Sequence, residues 1–371
     1  MNLMGIIFAN IYDSSLGQLT NKRTIASLPF GARYRNIDFC LSNMANSAIS
    51  HVGIITKYNY QSLMNHIGSG QDWDMELGEG GLEFLTPFAQ GHSGSYRGKL
   101  DALNAAMDFL SLSNEEYIVL ADGGVLCAMD YRKVLDNHIA SGADVTVVIK
   151  DGICNGTKQV DMGVLLGEDG RIEDLAVDFA ADDRYYASMG VFVMKRELLI
   201  ECTKDAVSHS LYRLERDMIM RGFFSGSLKL NAYKYDSVAL FNESPKEYFR
   251  NNLALLDWNV RNQLFHTEQT IYTRVRNEVP VYFGDSAEID NCIVGDGCIL
   301  KGNAVHSVLF RGVRVEKGAQ VEDCVIMQDA VIEEGAEVKC CILDKDVRIR
   351  KGTKLCGSPD HPMIVERGEV I

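Results

Sequence analysis

The sequence predicts an α/β domain built on a mixed, mostly parallel sheet, followed by a parallel β-helix. Short apolar runs alternate with helical patterns over the first ~230 residues, the order that builds βαβ units. From about Val279 helical periodicity stops, and one aliphatic side chain recurs at every sixth position. With 371 residues the chain is long enough for two separate cores.

The first strand is Gly5 to Ala9, a wholly apolar run of the kind buried on both faces. Ligands of such sheets sit beyond the carboxyl ends of the strands, so the following turn is where a phosphate would be held. A phosphate-cradling turn favours glycine, because backbone N–H groups must approach oxygen with no Cβ between. Asn10-Ile11-Tyr12-Asp13-Ser14-Ser15 has no glycine and carries an aromatic and an acid. Ile37, Cys40, Leu41 and Met44 predict a helix from Arg33 to about Ala48. Val52 to Thr56 reads as a strand, Tyr60 to His66 as a short helix, and Gly68 to Gly81 as a long glycine-rich loop. A strand fragment at Phe84 to Thr86 and a helix over Gly98 to Leu110 follow. Tyr117 to Ala121 is a buried strand ending in Asp122-Gly123-Gly124. Met129 to Ser141 is helical, Asp144 to Lys150 a β-branched strand, and Met162 to Ile172 a hairpin turning at Glu168-Asp169-Gly170. Ala187 to Met194 is a further strand, Lys195 to Thr203 a helix, and Ser244 to Leu256 a last helix. The expected division is a Rossmann-like α/β domain over 1–256, a linker over 257–284 and a β-helix over 285–371.

Four triplets define the β-helix. Ile293, Ile299 and Val305 are followed by Leu309, Val315 and Val321, by Ile326, Ile332 and Val338, and by Leu343, Ile349 and Leu355. Three aliphatic residues per coil describe a triangular solenoid with filled inner corners, the left-handed parallel β-helix of hexapeptide repeats. Such solenoids stack through faces and ends, so they often build oligomers.

A net charge of -14 argues against general nucleic-acid or anionic-membrane binding. Gly5 to Ala9 is too short for a signal peptide, and no apolar run approaches a membrane span of about 20 residues. The ten cysteines include no CxxC pair, so they read as reduced core residues of a cytoplasmic protein rather than metal ligands.

Several segments resemble glucose-1-phosphate adenylyltransferase, also called ADP-glucose pyrophosphorylase. They are Leu28-Pro29-Phe30-Gly31 with Tyr34 to Phe39, His66 to Asp74, Tyr96-Arg97-Gly98, Ala187-Ser188-Met189-Gly190 and His306 to Val313. The resemblance covers nearly the whole chain. It implies a GT-A-like nucleotidyltransferase domain and synthesis of ADP-glucose from ATP and glucose 1-phosphate for bacterial glycogen. That reaction needs Mg²⁺ and basic residues to neutralise phosphate charge.

The departures fall on the chemistry. The family's glycine loop falls on Asn10 to Ser15, with its phosphate-contacting arginine at Ser15 and a following lysine at Ile25. The strand-end metal aspartate falls on Gly124, with Asp122 two residues away. The sugar-phosphate lysine of Leu175-Ala176-Val177-Asp178-Phe179 falls on Asp178, where a carboxylate would repel phosphate. The second metal aspartate falls on Phe241. Each charge-stabilising group is worth a few kcal/mol, so these losses together imply almost no activity.

One cationic group is kept. Lys22, Arg23 and Arg35 match residues lining an allosteric anion pocket in related enzymes and could clamp a sugar phosphate. The resemblance therefore implies a non-catalytic, regulatory subunit of the GlgD type. It would assemble with a catalytic subunit as a hetero-oligomer, expected to be a heterotetramer, with Mg²⁺ and ATP only at the partner's site. Two other readings stay open: an active nucleotidyltransferase with a divergent site, and a stand-alone sugar-phosphate or nucleotide sensor.

Overall fold

The computed structural model describes residues 2–10, 13–76, 80–87, 96–154 and 160–371. Turn positions 11 and 12, the side chain of Asp13 and glycine-loop residues 77–79 lie outside the described set. The chain divides into two compact units that interleave in sequence. The first comprises Met1–Ile11, Cys40–Tyr60 and Ile67–Ala239; the second comprises Tyr12–Phe39, Gln61–His66 and Leu240–Ile371.

The first unit holds a nine-stranded mixed sheet. Its strands are β1 (Leu3–Phe8), β2 (Val52–Ile55), β3 (Leu82–Leu85), β4 (Tyr117–Asp122), β5 (Val145–Lys150), β6 (Val160–Leu166), β7 (Ile172–Phe179), β8 (Tyr185–Lys195) and β9 (Leu230–Lys234). Strands β4, β1, β2 and β3 lie side by side and parallel. The eleven-residue β8 runs antiparallel to β4, β5 and β6, so it is the hinge between the parallel half and the β6–β7 hairpin. Phe8 pairs with both Ile55 and Asp122, which places Asp122 level with the carboxyl end of the central strand. Phe8, Leu100, Leu120, Val147, Phe192, Leu214 and Met218 share one core. Each such side chain contributes about 1.5–3 kcal/mol by leaving water. The helix expected over Gly98 to Leu110 begins at Lys99 and breaks at Ala106 into Lys99–Ala105 and Met107–Leu112.

Helix α1 (Asn36–Asn46) is shorter than the span from Arg33 to Ala48. Tyr34–Arg35 are instead paired with Pro29–Phe30, and the Arg35 backbone N–H donates to Asp38 Oδ2 at 3.0 Å, holding Arg35 just outside the helix. At the other end Ala48 turns left-handed at φ 56°, which stops it.

The second unit carries the solenoid. Three five-stranded sheets, each wholly parallel, climb from Tyr282 to Val365. Leu309, Val315, Val321, Ile326, Ile332, Val338, Leu343 and Ile349 form its core, with Leu355 packed partly against it. The first triplet needs correction. Val294, Leu300 and Ala304 pair with Leu309, Val315 and Val321, so they, and not Ile293, Ile299 and Val305, point inward. Successive coils step by 17 residues from Leu309 to Leu343, but the first steps by 15 at Val294 to Leu309 and the last by 22 at Leu343 to Val365. Aliphatic residues stand in adjacent pairs there, and a six-residue spacing fits either member. One corner is left-handed in four successive coils, at Asn291, His306, Asp323 and Cys340. All ten cysteines are free thiols; seven are buried and Cys356 is exposed. Among the described residues no helix is long and apolar enough to cross a membrane.

Candidate functional site

Asp122 is the last residue of β4, and its side chain is buried. The Lys99 ammonium donates to Asp122 Oδ2 at 2.9 Å and to Glu215 Oε1 at 2.5 Å, all three being nine-tenths or more enclosed. Lys99 opens the helix Lys99–Ala105, and Glu215 stands in the first turn of a π-helix, Leu214–Met220. A cation at a helix N-terminus opposes the macrodipole, so the two carboxylates are what hold it there. Burial works against the ammonium, but Asp122 and Glu215 outweigh it and keep the Lys99 pKa above its ordinary value. Gly190, at φ 64°, lies behind Asp122: a Cβ there would fall 2.0 Å from Oδ2. Neither Lys99 nor Glu215 was singled out from sequence. The available signals were a lysine directly after Tyr96-Arg97-Gly98 and an acid inside the apolar run Leu214, Met218, Ile219.

Asp178 is also engaged. The Arg213 guanidinium forks onto its carboxylate, with Nη1 on Oδ2 and Nη2 on Oδ1, the latter at 2.7 Å. The hydrogen bond to Asp178 raises the Arg213 pKa further above its usual value. Asp178 thus carries a negative charge already matched within the chain. Asn10 is buried and donates to the Tyr58 carbonyl at 3.4 Å, and Gly124 follows Gly123, whose N–H donates to the Phe8 carbonyl at 3.0 Å.

In the second unit Ser15 lies in the 3-10 segment Asp13–Thr20, and Ile25 is fully buried in the turn Ile25–Ser27. Phe241 ends the strand Ala239–Phe241 with its ring buried. None of these three offers a charge.

The three kept cations separate in the same unit. Lys22 is exposed. Arg23 is buried, and its Nη2 donates to both oxygens of Asp344 at 2.5 Å. Arg35 Nη1 donates to the Ser62 carbonyl and hydroxyl at 2.7 and 2.9 Å. Burial, reinforced by the charges of Arg23, Arg276 and Arg274 against the pull of Asp38, lowers the Arg35 pKa to about 10. Lys345, unremarked in the sequence, belongs to the cluster. Burial, with Arg35 and Arg23 adding to it, lowers its pKa to about 7.

That shift makes a prediction. An unfolded lysine titrates near 10.4, so between pH ~7 and ~10.4 the unfolded chain holds the extra proton and stability rises with pH. An anion beside Lys345 reverses the shift by stabilising the ammonium. Binding of inorganic phosphate near pH ~8 should be accompanied by net proton uptake. Calorimetry in two buffers of different ionisation enthalpy measures this, and Lys345→Met should abolish the uptake.

Residues 5–232 match the nucleotidyl transferase family model, and residues 281–361 match the GlmU-like C-terminal hexapeptide model. The chain belongs to the nucleotidyl transferase family. It is 34% identical to the glycogen biosynthesis protein GlgD of Geobacillus stearothermophilus, over 99% of this chain and 97% of that protein. It is 30% identical to GlgD of Bacillus subtilis, over 99% and 96%. Glucose-1-phosphate adenylyltransferase of Bacillus cytotoxicus is 32% identical over 89% and 88%. The resemblance read from motifs therefore holds along the chain, as does the pairing of a nucleotidyl transferase sheet with a left-handed β-helix.

A nucleotidyl transferase reaction calls for a divalent ion at the strand end. The described residues there do not fit one. Gly124 has no side chain, the Asp122 carboxylate is paired with Lys99, and no group of three or more His, Cys, Asp or Glu among the described residues is placed to hold a metal.

Proposed function

We propose that this chain is the regulatory, catalytically impaired subunit of an ADP-glucose pyrophosphorylase serving glycogen synthesis in the bacterial cytoplasm. The turnover of ATP and glucose 1-phosphate to ADP-glucose and pyrophosphate belongs to a catalytic subunit assembled with it. The observation that carries this reading is the Asp178–Arg213 pair, a reversed charge at the sugar-phosphate position stabilised from within the protein. Neither member can bind phosphate as a lone lysine would: the acid repels it, and the arginine must first leave its carboxylate. The names of the two GlgD relatives support the pathway, and the adenylyltransferase supports the reaction of the partner.

Regulation works through differential contact. A subunit shifts its partner only by binding the active and inactive states unequally, and a coupling of about 1–3 kcal/mol changes affinity 5- to 150-fold. The cluster around Arg35 and Lys345 is where a sugar phosphate or another small anion would bias that equilibrium. Arg23 acts there at a distance, because Asp344 already holds its guanidinium. The test is co-purification with the catalytic subunit, followed by its rate with and without this chain. A stable complex with changed rate or effector response is expected. No complex and unchanged kinetics would refute the reading.

A further inference from the structure

We propose that the Lys99 ammonium is a tethered counter-ion that excludes a divalent cation from the strand end, and that its removal turns Asp122 and Glu215 into a divalent-cation site. The inference stands whether or not the chain regulates a partner.

Three separate elements each supply one member: the end of β4 gives Asp122, the first turn of Lys99–Ala105 gives the ammonium, and the π-helix gives Glu215. A π-helix is uncommon and gathers at functional sites. Here it brings a carboxylate inward that an apolar helix face would otherwise exclude. The ammonium lies 5.4 Å from the Phe8 ring centre and 5.9 Å from that of Phe192. These two rings flank the ammonium, whose side chain is 3 % exposed. Gly190 leaves room for the Asp122 carboxylate, which an added Cβ would meet at 2.0 Å from Oδ2.

The charge arithmetic separates a plug from a cofactor. One ammonium against two carboxylates leaves the cluster at minus one, whereas a divalent ion would bring it to zero. Hydrogen bonds of 2.9 and 2.5 Å hold the oxygens for a nitrogen. Metal–oxygen bonds are about 2.0–2.6 Å, so with the lysine stem gone a modest inward shift of Glu215 lets one ion, completed by water, touch both. While Lys99 stands there, no cation can enter without expelling a buried ammonium. Any nucleotide this unit binds must do so with no metal bridging its phosphates to Asp122.

Mn²⁺ alone tests this on the full chain, by electron paramagnetic resonance of the free ion and by thermal denaturation. The wild type should bind no Mn²⁺ that Asp122→Asn removes, and its melting temperature should not respond. Lys99→Ser should bind one Mn²⁺ at least tenfold more tightly than the wild type, and added Mn²⁺ should raise its melting temperature, because an ion that binds only the folded state stabilises it. Both effects should vanish in Lys99→Ser/Asp122→Asn. The thermal readout keeps the test decisive if Lys99→Ser is poorly folded without metal. Asp122-dependent Mn²⁺ binding by the wild type would overturn the proposal. So would a folded Lys99→Ser that ignores Mn²⁺, or a Lys99→Ser that stays unfolded at saturating Mn²⁺.

Discussion

Lys99→Met is expected to destabilise the first unit by about 3–5 kcal/mol, the cost of leaving a buried charge without its partner. Two carboxylates lose their counter-ion here, so the effect should lie at the upper end. Methionine keeps the unbranched apolar stem of lysine, so the loss is chiefly one of charge and not of packing. A neutral cluster, Lys99→Met with Asp122→Asn and Glu215→Gln, should recover most of the stability, since neutral replacement of a buried ion group is often tolerated. The urea midpoint of near-complete unfolding, followed by circular dichroism, measures both. Protonation of one carboxylate relieves the single variant, so its deficit should shrink as pH falls toward 4, near the ordinary carboxylate pKa of about 4. A loss that is equal at all pH values would point to packing instead.

Arg23→Ala should destabilise the second unit by about 3–5 kcal/mol for the same reason, because Asp344 then stays buried without its cation. Asp344 also accepts the Lys345 backbone N–H at 2.6 Å, so the turn after the strand Cys341–Leu343 should loosen too. Arg23→Lys is not a mild change: Arg23 also reaches Met327 Sδ through Nη1 at 3.4 Å, and one ammonium cannot reproduce both contacts. If Arg23 served chiefly as an anion ligand, Arg23→Ala would leave stability almost unchanged and weaken phosphate binding alone. The buried pair predicts the opposite order of effects.

Sequence made the architecture legible where one period dominates. The β-helix announced itself through Leu309, Val315, Val321 and their successors, and the buried strands through unbroken apolar runs at Gly5 to Ala9 and Tyr117 to Ala121. Register at the start of the solenoid was not legible, because Ile293-Val294 and Ile299-Leu300 offer two aliphatic candidates each. The helix start at Asn36 was hidden because Arg33 to Arg35 carry no residue that forbids a helix; the Asp38 bond to Arg35 decides it. The resemblance implies that Asn10 stands in place of a glycine, and Ser15, Ile25, Gly124, Asp178 and Phe241 in place of charged residues. It could not reveal what replaced them. Lys99 and Glu215 are 116 positions apart, and Arg213 and Asp178 are 35 apart. Only folding brings such pairs together. The same holds for Lys345, whose neighbours Arg23 and Arg35 come from the opposite end of the sequence.

The two internal ion groups of the first unit, Lys99 with Asp122 and Glu215 and Arg213 with Asp178, satisfy their charges within the protein, and the proposed loss of catalysis rests on them. The most direct measurement is turnover of the purified chain alone with Mg²⁺, ATP and glucose 1-phosphate, followed as pyrophosphate released. The proposed function predicts no turnover above background, and none restored by excess Mg²⁺ or Mn²⁺. Sustained pyrophosphate release that Asp122→Asn abolishes would contradict it.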